Sequence, residues 1–71
     1  MKLYFENLRR ERRLIAEPQT EEEAWKEIHR FCEDRKFTIH YVREWRSLEG
    51  LMVYDVGSHT EFFYLDDEKF G

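Results

Sequence analysis

The sequence predicts a single α+β domain of order ββαβββ over residues 1–71, with one helix packed on one face of an antiparallel or mixed sheet. Three observations carry that prediction. Residues 21–35 space their apolar side chains by three and four, residues 37–65 alternate with a period of two, and 71 residues leave room for one core only. Two Trp, four Tyr and six Phe supply the apolar material, so most of these rings must leave water for the chain to fold despite being 39% charged.

Residues 2–17 read as a β-hairpin. Pairing Asn7 with Arg12 across the loop 8–11 sets Phe5 opposite Leu14 and Leu3 opposite Ala16 on an apolar face. The other face then matches Lys2 with Glu17, Glu6 with Arg13 and Tyr4 with Ile15. Pro18 stops the strand, and Thr20 followed three residues later by Glu23 forms a capping box, the hydroxyl accepting from the Glu23 backbone and the carboxylate reaching back. Glu21, Glu22 and Glu23 at the start, with Arg35 and Lys36 at the end, complement the dipole of a helix over 21–35. Its buried stripe is Ala24, Trp25, Ile28, Phe31 and Cys32.

From Phe37 onward β-branched and aromatic residues dominate in three runs, FTIHYVREW, LMVYDV and TEFFYL, which predict a meander over 37–65. The two connections, 47–50 and 57–60, are short and each contains a glycine suited to a tight turn. If Arg46 opposes Leu51, then Phe37, Ile39, Tyr41, Trp45, Met52, Tyr54, Val56, Phe63 and Leu65 face the helix, with Arg43 among them at the rim. The opposite face carries Thr38, His40, Val42, Glu44, Arg46, Val53, Asp55, Phe62 and Tyr64, a mixture too apolar for a plain wetted surface. A β-grasp-like crossing is one of several α+β topologies this order allows, and residues 66–71 read as an acidic, solvated tail.

Charge is unevenly placed. The net charge is −4, yet residues 1–13 carry five basic and two acidic side chains while the remainder carries seven and 14. No run approaches a signal-peptide core or the ~20 apolar residues of a membrane span. The single cysteine, Cys32, excludes an internal disulfide and fits a reducing, cytoplasmic setting.

Few residues invite chemistry. His29, Cys32, His40, Asp55 and His59 are the candidates for catalysis or metal binding, but no CxxC or HExxH spacing is present, and Cys32 falls on the apolar stripe, where a thiol packs inertly. With glycine only at 50, 57 and 71, no phosphate loop, dinucleotide fingerprint or GxSxG elbow occurs. No enzyme activity, cofactor, metal or small-molecule substrate is therefore expected. Arg9, Arg10, Arg12 and Arg13 at the first hairpin tip could neutralise phosphates as β-ribbon readers do, but the acidic body repels a polyanion, and a solvated loop accounts for them better.

The segment YDVGSHTEFFYL, Tyr54 to Leu65, resembles small uncharacterised proteins encoded by phages and prophages of Gram-positive bacteria. The resemblance implies an accessory protein that acts by binding a phage or host protein, and it transfers no site residue. The expectation from the residues themselves is a non-enzymatic protein-binding or adaptor module, a homodimer being one form of it. Its contact surface would be Val42, Glu44, Arg46, Val53, Asp55, Phe62 and Tyr64; the alternative is nucleic-acid binding through Arg9, Arg10, Arg12 and Arg13.

Overall fold

A computed structural model describes residues 1–57 and 61–67. The elements are β1 (Lys2–Glu6), β2 (Arg12–Ala16), α1 (Glu21–Asp34), β3 (Arg43–Arg46), β4 (Met52–Asp55) and β5 (Phe62–Asp66), in the predicted order ββαβββ. The strands form one antiparallel sheet, β2-β1-β5-β4-β3. The last strand inserts between β1 and β4, and the described residues contain no parallel pair of the kind a β-grasp requires. β2 and β3 form opposite edges, so the segment carrying α1 crosses the sheet and lays the helix over one face.

Both hairpin turns close one residue tighter than expected. In the first, the Asn7 N–H donates to the Glu11 carbonyl (3.1 Å), the Arg10 N–H donates to the Asn7 carbonyl (3.0 Å), and Arg10 is left-handed at φ 63°. In the second, the Ser47 N–H donates to the Leu51 carbonyl (2.8 Å), the Gly50 N–H donates to the Ser47 carbonyl (3.0 Å), and Gly50 sits at φ 85°. Each is a three-residue loop ending in a left-handed residue. Asn7 and Ser47 anchor them with side-chain oxygens, Asn7 Oδ1 accepting from the Arg9 and Glu11 amides and Ser47 Oγ from the Leu51 amide.

That single-residue difference changes which residues share a face. Glu6 pairs with Arg12, Phe5 with Arg13 and Tyr4 with Leu14, in place of the expected Glu6–Arg13, Phe5–Leu14 and Tyr4–Ile15. A bulge at Ile15 then restores Leu3 opposite Ala16, as expected. On the other side of the sheet Arg46 pairs with Met52 rather than Leu51, and Trp45 pairs with Val53. Trp45 and Arg43 therefore leave the helix face, while Glu44 and Arg46, opposite Tyr54 and Met52, join it.

Thr20 caps the helix as expected, its Oγ1 accepting from the Glu23 N–H (3.1 Å); the Glu23 carboxylate accepts from Gln19 (2.8 Å), one residue before the cap. The helix ends at Asp34, so Arg35 and Lys36 lie just past the last turn. The Lys36 N–H donates to the Glu33 carbonyl and the Phe37 N–H to the Cys32 carbonyl, a Schellman closure in which Lys36 takes the left-handed position at φ 58°. Lysine at 36 and arginine at 10 thus occupy backbone that favours glycine. Lys36→Gly and Arg10→Gly are each expected to add about 0.5–1 kcal/mol of stability, seen as a thermal midpoint several degrees higher. A midpoint unchanged or lowered in both variants would contradict strain at these positions.

Residues 37–42, expected as the start of a strand, are irregular, because β4 ends at Asp55 and offers them no partner ladder. The His40 N–H reaches the Val56 carbonyl (3.1 Å), and there the chains approach so closely that a β-carbon on Gly57 (φ 100°) would lie 2.8 Å from that of His40.

Leu3, Phe5, Tyr54, Val56, Phe63 and Leu65 on the sheet pack with Ala24, Ile28 and Cys32 of α1. Phe5 joins Phe31 (4.6 Å between ring centres) and Phe63 (5.4 Å), and Trp25 meets Tyr54 edge-on at 4.8 Å. Tyr41 and Trp45, expected in this core, are 44% and 42% exposed. The expected solvated tail is also corrected in part: Asp66 completes β5, and Asp67 is buried against Arg46, two parallel N–H···O contacts of 3.0 and 3.1 Å tying the end of β5 to the β3–β4 hairpin. Residues 68–71 lie outside the described residues.

Candidate functional site on the open sheet face

The face without the helix is ordered by the strand register. Leu14, Tyr4, Tyr64, Val53 and Trp45 stand side by side across all five strands, an apolar row running from edge to edge. Beside it lie Arg12, Glu6, Phe62, Asp55 and Arg43. Leu14 is 48% exposed, whereas Val53 is buried between larger neighbours. Trp45 meets Phe62 edge-on at 6.4 Å, and the Arg43 guanidinium lies about 6 Å from the rings of both Tyr41 and Trp45 while approaching Asp55 at 3.7 Å.

A charged bridge crosses this face. Arg12 Nε donates to Glu6 (3.1 Å), and its two terminal nitrogens donate to the two oxygens of Glu49, at 3.3 and 3.0 Å. The guanidinium lies 3.9 Å above the Tyr64 ring, whose hydroxyl donates to the second oxygen of Glu6 (3.2 Å). Glu49 belongs to the turn joining β3 and β4, and in a flat sheet β2 and β3 would lie about 19 Å apart. Sheet twist resolves this, because it lifts two diagonally opposite corners toward the same face, here the corners carrying Arg12 and Glu49. The pairing draws the Glu49 carboxyl below its ordinary range, chiefly through the hydrogen bonds from Arg12. Burial, and then the Glu6 charge, push the Tyr64 hydroxyl upward.

Of the residues expected to form the contact surface, Val53, Asp55, Phe62 and Tyr64 do lie on this face. Val42 precedes β3 and is 47% exposed. Glu44 and Arg46 are corrected: they belong to the helix side, and Arg46 is committed to Asp67 and to the Gly50 carbonyl. Trp45 and Arg43 replace them. Gly50, directly before Leu51, takes the left-handed third position of a three-residue loop and so shifts the register by one, although glycine there fits a four-residue loop as well.

The arginines of the first hairpin do not converge. Arg12 is held by Glu6, Glu49 and Tyr64; Arg13, opposite Phe5, belongs to the helix side; Arg9 and Arg10 lie exposed in the turn. On the helix side an open groove of about 540 Å³ separates β2 from the end of α1, with Phe5, Ile15, Phe31 and Phe37 inside and a rim of mixed sign that includes Arg13, Arg35, Glu11 and Glu61.

Cys32 is buried in the core, and burial pushes its thiol upward, away from the thiolate. His29 is an exposed helix residue beside Trp25, Asp55 accepts from the Gly57 amide, and His59 lies outside the described residues. Among the described residues no three His, Cys, Asp or Glu side chains cluster to hold a metal, and no helix is long and apolar enough to cross a membrane. No protein-family model, curated protein or solved structure matches this chain.

Proposed function

We propose that the protein is a non-enzymatic protein-binding module whose contact surface is the β3 side of the open sheet face. The observation that carries this reading is the exposed group Tyr41, Val42 and Trp45, each more than 40% exposed, flanked by Phe62 and with Arg43 set against its rings. Trp, Tyr and Arg are the residues that dominate binding energy at protein interfaces, and edge strands rarely leave such rings exposed without a use. An accessory role of the kind the Tyr54–Leu65 resemblance implies fits a small module that acts by contact alone. Nucleic-acid binding is the less favoured reading, because Arg12 is committed to Glu6 and Glu49 and stands on the opposite face of β2 from Arg13, so the four arginines do not form one phosphate-binding surface.

Affinity capture with matched variants tests the proposal. A specifically retained protein is expected to be lost with Tyr41→Ala plus Trp45→Ala and kept with Arg9→Ala plus Arg10→Ala. The reverse pattern, or salt-dependent retention of DNA or RNA abolished by the arginine pair, would establish the nucleic-acid alternative instead.

A further inference from the structure

We propose that Glu49 is a built-in competitor: it occupies a guanidinium fork on Arg12 that a carboxylate side chain of the protein partner takes on binding. This rests on the reading of the open face as a protein-binding surface and names the chemistry of the group recognised there.

Arg12 is held ready before any partner arrives. Glu6 grips Nε at 3.1 Å, the Tyr64 ring lies 3.9 Å below the guanidinium plane, and the Tyr64 hydroxyl fixes Glu6 in turn at 3.2 Å. The Glu6 side chain is only 12% exposed, so this support is anchored within the face. Three groups thereby orient the remaining N–H edge, and that edge is filled in two-point fashion by a carboxylate, the geometry to which a planar guanidinium is matched. The occupant is the loosely held member. Glu49 is 60% exposed, stands at the tip of a three-residue turn beside the fully exposed Leu48, and comes from a hairpin that shares no ladder with β2. An exposed ion pair of this type contributes little stability, so a carboxylate held in place by a partner's other contacts can replace Glu49, whereas a free carboxylate competes poorly with one tethered to the chain. Displacement would free the β3–β4 turn from Arg12, which stays stacked on Tyr64 in the row leading to Trp45. The Glu6 carboxylate beside the fork disfavours a dianion, so the site selects a carboxylate over a phosphate monoester.

Acetate serves as the probe, with chloride at equal ionic strength as control. In Glu49→Ala the fork is vacant, and acetate is expected to raise the thermal midpoint above the chloride control, the rise growing with the logarithm of acetate concentration once this exceeds the dissociation constant. Wild type, with the fork occupied, should show no rise beyond the chloride control, and Arg12→Lys combined with Glu49→Ala should show none. No rise beyond the chloride control in Glu49→Ala, or an equal rise in all three proteins, would overturn the proposal. A rise with inorganic phosphate but not with acetate would overturn the carboxylate assignment. Failure here leaves the capture result with Tyr41→Ala plus Trp45→Ala unaffected, so the two readings fall separately.

Discussion

Phe63→Ala is expected to remove about 3–5 kcal/mol, a large share of the stability of the chain. Phe63 is 1% exposed and lies on β5, the central strand, with its ring 5.4 Å from that of Phe5 and 5.6 Å from that of Phe31. It joins the N-terminal hairpin, the helix and the C-terminal hairpin in one cluster. Truncating a buried phenylalanine costs about 3–5 kcal/mol, because the transfer free energy is lost and the surroundings relax only partly into the cavity. A domain of this size has roughly 4–10 kcal/mol in total. The aromatic near-ultraviolet signal and the cooperative thermal transition should therefore weaken or vanish together, while Phe63→Leu retains both. A cooperative transition in Phe63→Ala within about 1 kcal/mol of wild type would show that the core is centred elsewhere.

Alkaline pH should destabilise the protein through Tyr54. Burial, reinforced by the nearby carboxylates of Glu44, Glu21 and Asp67 and opposed by Arg46, pushes its hydroxyl from 10.0 up to about 12. Below pH 10 the phenol is protonated whether the chain is folded or not, and the group has no effect on stability. Between pH 10 and about 12 the unfolded chain releases this proton while the folded one keeps it. The unfolded state then binds fewer protons, so stability falls as pH rises, by roughly 3 kcal/mol across the window. Tyr54→Phe removes this term, since phenylalanine does not ionise. Denaturant unfolding of both proteins from pH 9 to pH 12 isolates it: the stability of wild type relative to Tyr54→Phe should decline steadily above pH 10. A difference that stays constant over that range would mean the folded Tyr54 ionises as freely as the unfolded one.

The candidate surface was half legible from the residues. That one sheet face would stay open and hold Val53, Asp55, Phe62 and Tyr64 followed from having one helix and a five-strand alternation. A four-residue loop puts Trp45 and Arg43 on the core side and Glu44 and Arg46 on the open side, a three-residue loop reverses both, and SLEG is compatible with either, since one residue exchanges every side chain between faces. The first hairpin repeats the lesson with Arg10 in the position glycine normally marks, so no residue type announced the tighter turn. The bulge at Ile15, which brings Ala16 back opposite Leu3, has no sequence signature either.

Local chemistry thus determined the elements. The Thr20–Glu23 cap, the three- and four-residue spacing of Ala24, Ile28 and Cys32, and the alternation after Arg43 act over a few bonds or one turn, and each is written in adjacent residues. Tertiary structure decided the strand order, the burial of Asp67 against Arg46 and the meeting of Arg12 with Glu49, 37 residues along the chain. These depend on sheet twist and on which strand enters between which neighbours. Both are set by how the whole apolar surface is best removed from water, a property of the assembled chain rather than of any segment.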